Sequence, residues 1–149
     1  LGWDITIVAG TSEAKTLQDF PGAKKIMCQD PEFLTVEAVN QETVVLLMTH
    51  SYVKDLSYLL ALKDTIPAYI GLLGPAKRRD QLLNEFIERY PEVEESFLEL
   101  IHGPAGLDIG AETPQEIAIS ICAEILTVIR QKNPKSLRDK KGSIHSAIS

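Results

Sequence analysis

This 149-residue chain contains two cysteines and no long hydrophobic run. Cys28 and Cys122 lie far apart and have no metal-ligand spacing, which argues against a disulfide scaffold or a zinc site. The longest apolar stretches, such as 44–48 (V-V-L-L-M) and 69–73 (Y-I-G-L-L), are strand-length and too short to span a membrane. No signal or transit segment opens the chain, so a reducing, cytoplasmic setting is expected. Leu1 runs directly into a strand-like stretch, which suggests further sequence upstream. Several motifs are missing as well. No G-x-G-x-x-G follows a strand, and Val8-Ala9-Gly10-Thr11 offers no acid for a ribose. There is no Walker loop and no G-x-S-x-G. A self-sufficient dehydrogenase or phosphotransferase therefore lacks its usual parts.

What is present describes one ordinary domain. Hydrophobic residues make up 44% and charged residues 24%, which excludes disorder for the bulk of the chain. Charge is unevenly placed. Residues 130–149 carry six Lys/Arg against one Asp, whereas residues 1–129 carry nine against twenty Asp/Glu. An acidic body argues against general nucleic-acid binding, which needs a broad basic face. The chain divides into a body, 1–131, and a basic tail, 132–149, for which a solvated terminus is the simpler reading and an anionic partner the alternative.

Residues 3–8 and 24–28 read as strands, and the runs 44–49 and 68–73 as strands buried on both faces, as in a parallel sheet. Helical patterns follow the last two. Residues 52–63 align Val53, Leu56, Leu59 and Leu60, and residues 76–89 align Leu82, Leu83, Phe86 and Ile87. Thr113-Pro114-Gln115-Glu116 is a capping box with Pro at the first helical position. The helix it opens has one narrow polar stripe (Glu116, Ser120, Glu124, Thr127, Gln131) and an apolar arc broad enough to predict packing on more than one side, against the sheet and a neighbouring helix. Cys122, on that arc, is expected in the core. Alternating strand and helix give an α/β class with right-handed crossovers.

In such sheets ligands bind beyond the carboxyl ends of the strands. Gly74-Pro75-Ala76-Lys77-Arg78-Arg79 joins a strand to a helix and puts three cations in its first turn, where they oppose the macrodipole. A bound phosphate or carboxylate would reverse the sign of that effect. Otherwise Lys77 and Arg78 point to solvent and Arg79 pairs with an acid. His50, at the mouth of the third strand, can bind a ligand or hold its loop. The loop 102–112, from His102 to Glu112, has three glycines and two acids, Asp108 and Glu112. These acids can orient a substrate or a metal, or simply serve the turn and the helix dipole.

Three segments resemble the C-terminal Rossmann-type domain of the XdhC/CoxI family: 45–56 (V-L-L-M-T-H-S-Y-V-K-D-L), 68–83 (A-Y-I-G-L-L-G-P-A-K-R-R-D-Q-L-L) and 101–124, with G-L-D-I-G-A-E-T-P-Q-E-I-A the most specific part. The tail from Ser136 to His145 is similar as well. The resemblance implies a Rossmann-like, mostly parallel sheet with flanking helices. It also implies a cytoplasmic accessory protein, not an enzyme with turnover of its own, that binds the molybdenum cofactor (molybdopterin, a pterin carrying a phosphate). Such a protein would protect that cofactor, support its sulfuration and deliver it to a molybdenum hydroxylase of the xanthine dehydrogenase type, with a cysteine desulfurase as a further partner. The start of the helix at Ala76 is the expected phosphate site, with His50, Gly74, Lys77, Arg78, Arg79, His102, Asp108 and Glu112 as candidate cofactor contacts. Relative to the family, the usual first β-α unit is lacking. An exposed sheet edge is therefore expected, inviting a homodimer or pairing with another chain. Two alternatives are an NAD(P)- or nucleotide-binding oxidoreductase domain, favoured by fold alone, and a partner-binding scaffold without a small-molecule ligand.

Overall fold

The runs 44–49 and 68–73 do become parallel strands, slightly shorter than read. The structure, a computed structural model, describes residues 1–145. Strands β3 (Val44–Leu47), β4 (Tyr69–Leu72) and β5 (Ile101–His102) form a parallel sheet in the order β3-β4-β5. Val44 lies beside Tyr69 and Ile70 beside Ile101. Strands β1 (Thr6–Ala9) and β2 (Lys25–Cys28) form a second, two-stranded parallel sheet, so the single sheet implied by the alternation is divided in two. β5 lies where the sequence reads as loop, because two residues are too few to show a periodicity.

All four residues of β4 are buried, and alternation sends them to two layers. Leu47, Ile70 and Leu72 face helices α1 (Tyr52–Ala61) and α2 (Ala76–Arg89), where Leu56, Leu59, Leu82 and Phe86 complete the main core. The short helix α3 (Glu95–Leu98) adds Phe97, whose ring stacks on Phe86 at 5.6 Å. Side chains such as Leu82 and Phe86 each contribute about 2–3 kcal/mol by leaving water. On α1 the buried face is not quite the one read from the sequence. Asp55 and Tyr58 turn inward, while Val53 is exposed.

Helix α4 (Pro114–Ile129) lies on the opposite face of the sheet, with Ile121 and Ile125 against Tyr69, Val44 and Leu46. The capping box forms as expected. The Glu116 amide donates to Thr113 Oγ1 at 3.2 Å, and Glu116 Oε2 accepts from the amides of Thr113 (2.7 Å) and Glu112 (3.0 Å). These bonds, that from the Thr113 amide foremost, hold the Glu116 carboxyl below the usual glutamate pKa. Thr113→Ala should cost about 1 kcal/mol, read as a lower denaturant midpoint with an unchanged slope.

The expected two-sided packing of α4 does not occur among the described residues. One side meets the sheet, but Ile119 (63% exposed), Ile129 (44%) and Leu126 (36%) stand in water on the other. Part of the polar stripe instead turns inward, since Ser120 is buried and Glu124 is largely covered. Cys122 is half-buried, not core, and Cys28 is exposed.

The two sheets are joined through α1. The Tyr58 hydroxyl donates to the Gln29 carbonyl just after β2 at 2.8 Å, and Lys54 Nζ meets Glu13, just after β1, at 3.0 Å. Beyond α4 the described tail carries one short turn, Leu137–Asp139. Residues 146–149, the end of the basic tail, lie outside the described residues. Among the described residues no helix is long and apolar enough to cross a membrane.

Candidate functional site

Because β3, β4 and β5 are parallel, the segments following them open at one end of the sheet, and the candidate residues lie on these segments, at the helix starts they lead into or, for His102, at the last position of β5. The β3–α1 turn is tightly held. Asp55 is 3% exposed, and its Oδ1 accepts from the Thr49 amide (3.1 Å) and hydroxyl (2.7 Å). Its Oδ2 meets Arg78 Nη2 at 2.9 Å. The Ser51 hydroxyl caps α1 by accepting from the Lys54 amide. His50, between these anchors, takes a left-handed φ of +61° and is exposed, with no side-chain partner among the described residues.

Helix α2 begins differently from α1 and α4. Its N-cap is Pro75, which has no side-chain acceptor, and its first turn holds no acid. The amides of Arg78 and Arg79 reach the Pro75 carbonyl, but those of Ala76 and Lys77 have no partner among the described residues. Gly74 has φ +109°, a conformation that favours glycine, and a Cβ there would stand 2.8 Å from Arg78 Cδ. The three cations separate by role. Arg78 is bound to Asp55 and lies over the Tyr52 ring at 5.8 Å. Arg79 donates to the Gly103 carbonyl (2.6 Å) and to Asp80 Oδ1 (2.8 Å from Nη2). Lys77 is exposed and unpaired among the described residues. Protein groups therefore already neutralise Arg78 and Arg79, and only Lys77 stands free to meet an anion from outside.

A second polar cluster lies under the segment after β5. The His102 ring stacks on Tyr69 (4.5 Å between centroids, 11° between planes), and its Nδ1 is 3.8 Å from Glu124 Oε1. The same Glu124 oxygen accepts from the Tyr69 hydroxyl (2.6 Å) and the Gly106 amide (3.1 Å). Burial, and then the bond to Glu124, push the Tyr69 phenol far above its usual pKa, so it stays a donor. His102 thus packs as part of the floor, with its polar edge toward Glu124. Asp108 and Glu112 are exposed, and their carboxylates have no partner among the described residues. No group of three or more His, Cys, Asp or Glu among the described residues is placed to hold a metal ion. After β1, Asp30 accepts from the Thr11 amide and hydroxyl, which fills the first loop with a protein carboxylate.

The structure thus gathers Arg78 with the His50 turn and Arg79 with the segment after His102. It leaves His50, Lys77, Asp108 and Glu112 at the solvent edge. Sequence reasoning missed Asp55, Tyr69 and Glu124 as organising residues. A signal existed for two of them. Asp55 stands beside Leu56 and one turn before Leu59, and Glu124 beside Ile125 and one turn after Ser120; both are single acids on otherwise inward-facing turns.

With this geometry established, comparisons with known proteins place the chain. It is 34% identical to the uncharacterised protein YqeB of Escherichia coli (strain K12) over 130 residues, 86% of this chain and 23% of that one. It is also 34% identical to a protein of Bacillus subtilis (strain 168) named as a probable xanthine dehydrogenase component, over 72% of this chain and 30% of that one. The chain therefore spans about a quarter to a third of the curated relatives it matches. A crystal structure of a xanthine dehydrogenase from Bacillus halodurans superposes with a TM-score of 0.66 at 26% identity, covering 87% of this chain and 44% of that one. The model of the XdhC Rossmann domain matches residues 1–125, and the chain belongs to that family.

Proposed function

We propose that this domain serves a xanthine-dehydrogenase-type molybdoenzyme as part of a maturation factor, and that the carboxyl end of its sheet receives the phosphate end of the molybdenum cofactor. One observation carries the reading. Of the three long helices among the described residues, only α2 starts without a side-chain cap, with two amides and a first-turn lysine that have no partner among those residues and a glycine before it. A phosphate would complete that turn through backbone donors and the positive end of the helix dipole. The donor set fits a phosphate and offers no soft ligand to a metal. When bound, the cofactor supplies a pterin-held metal for the target enzyme; the chain's part is to hold and orient the anionic end. Lys77 and the Ala76 and Lys77 amides bind. Arg78, already neutralised by Asp55, ties the start of α2 to the β3–α1 turn. Relatives bearing xanthine dehydrogenase names support the choice of target enzyme.

The test uses Lys77→Ala in the protein loaded with molybdenum cofactor, with retained pterin read by fluorescence after oxidation. Loss of one charge-assisted contact should lower affinity roughly tenfold or more, with stability unchanged because Lys77 is exposed. Uptake of no pterin by the unmutated protein, or full retention by the variant, overturns the reading. Arg78→Ala is a poor substitute, since it also strands the buried Asp55 carboxylate.

A further inference from the structure

The outer side of α4 carries an ordered apolar row. Ile119 is 63% exposed, Ile129 44% and Leu126 36%, and Cys122 among them is half-buried. These four residues follow one another at steps of three, four and three. At 3.6 residues per turn that spacing lays them in one narrow seam, the a/d pattern by which two helices pack side by side. Gln115 and Asn133 continue the seam at its two ends and are polar. The seam is thus apolar for about 15 Å and bounded at each end by an amide side chain. It is separate from the surface α4 already uses. Ile121 and Ile125 pack on the sheet, while Ser120 and Glu124 hold the segment after β5. A contiguous exposed apolar patch of this kind marks an interaction surface.

The charges beside the seam have a direction. Glu116, Ala123 and Arg130 recur every seven residues along one flank. The segment leading into α4 adds Asp108 and Glu112, and the segment leaving it adds Lys132 and Lys135. The helix is therefore acidic at its start and basic at its end. A mate for this flank must be basic where α4 is acidic and acidic where α4 is basic. The same helix running the opposite way meets both demands. Setting Cys122 opposite Leu126 of a second copy also sets Ile119 opposite Ile129 and Gln115 opposite Asn133, from either copy's side. Glu116 then stands on the same flank as Arg130 of the other copy, twice over. The two helix dipoles run antiparallel, which favours the pair. A parallel pair would instead bring acid to acid and base to base.

We infer that a second copy of this chain docks on this face, the two α4 helices pairing antiparallel about a two-fold axis midway between Cys122 and Leu126. Each apolar side chain of the seam finds an apolar side chain across the axis. Such a contact is isologous and closes at two copies, so it builds no filament. Packing of the a/d type sets the helix axes about 20° from antiparallel and about 8–10 Å apart. The small side chains of Ala118, Cys122 and Ala123 permit that approach. Four seam residues from each copy make a small interface, so the dimer is of the kind that dissociates on dilution. This pairing uses a helix face and no strand edge, and it stands whether or not the cofactor reading does.

Sedimentation velocity of the 149-residue chain, from about 1 to 500 μM, tests the pairing. The weight-average mass should climb from that of one copy toward that of two. Ile119→Lys, at an exposed position, should weaken self-association roughly tenfold or more with the urea midpoint unchanged. Arg130→Glu should weaken it roughly threefold, by turning an attraction into a repulsion twice over. Disulfide trapping at high protein concentration in a Cys28→Ser background reads the direction. Leu126→Cys brings a thiol opposite Cys122 of the other copy, so oxidation should give a covalent dimer linked between positions 122 and 126. Ile119→Cys has no thiol opposite it in the antiparallel pair and should give no link at 119, whereas in a parallel pair it faces itself. Three results overturn the inference: one copy throughout the range, which leaves the face to a different polypeptide; self-association that Ile119→Lys does not weaken; or links in the parallel register.

Discussion

Asp55→Ala is expected to destabilise the protein by about 3 kcal/mol, although it removes a single small side chain. The carboxylate is buried and takes part in three polar contacts, two from Thr49 and one from Arg78. Removing one partner of a buried pair costs about 3–5 kcal/mol in general. The lower figure applies here because the Arg78 side chain is 28% exposed and can turn to water. Asp55→Asn keeps an acceptor for Thr49 and should cost about half as much. Arg78→Ala leaves the carboxylate buried without its cation, and the double variant should cost clearly less than the two single losses combined. Urea denaturation with an unchanged slope checks all four values. A loss under 1 kcal/mol for Asp55→Ala would show that the turn around His50 holds without its anchor.

The second large effect is Gly106→Ala, expected to cost about 3 kcal/mol and to lower the midpoint of thermal unfolding by roughly 10 °C. Two faults combine at this residue. Its φ of +117° lies where side chains are strained, and a Cβ would collide with the Ser120 hydroxyl. That hydroxyl donates to the Leu107 carbonyl, and the Leu107 amide returns a bond to the Ser120 carbonyl at 3.3 Å. The collision therefore opens the seam holding the segment after β5 on α4. Adding Ser120→Ala removes the nearest clashing atom and should return part of the loss, leaving the backbone strain. Differential scanning calorimetry on the three variants separates the two contributions.

The sequence made some of this legible and hid the rest for physical reasons. Strands β3 and β4 announce themselves because β4 is buried on both faces and β3 is at least half-covered on both, so their apolar runs are unbroken. The capping box at Thr113 was readable to the residue, since its chemistry is local. The pairing of Arg79 with a neighbouring acid, Asp80, is legible in the sequence, but the partner of Arg78 and the second partner of Arg79 are not. Asp55 lies 23 positions before Arg78, and the Gly103 carbonyl belongs to backbone that every residue possesses. The cations at α2 are unfavourable by helix-dipole rules, yet a tertiary contact to Asp55 neutralises Arg78 and the adjacent Asp80 neutralises Arg79. For α4 the breadth of the apolar arc was read correctly, but sequence cannot say whether every apolar side has a neighbour. Chain alternation likewise gives strands and helices, not whether consecutive strands share a ladder, so the division into two sheets was invisible.

Hanging the first two strands from α1 has a consequence for how the protein comes apart. The segment up to about residue 42 is fastened by a few side-chain links and some apolar packing, whereas the later strands and helices share a continuous interior. Partial melting of the early segment should cost far less than global denaturation. The molecule thus has two tiers of cohesion: a larger durable part that can outlast heating or a protease, and a smaller detachable part that leaves first.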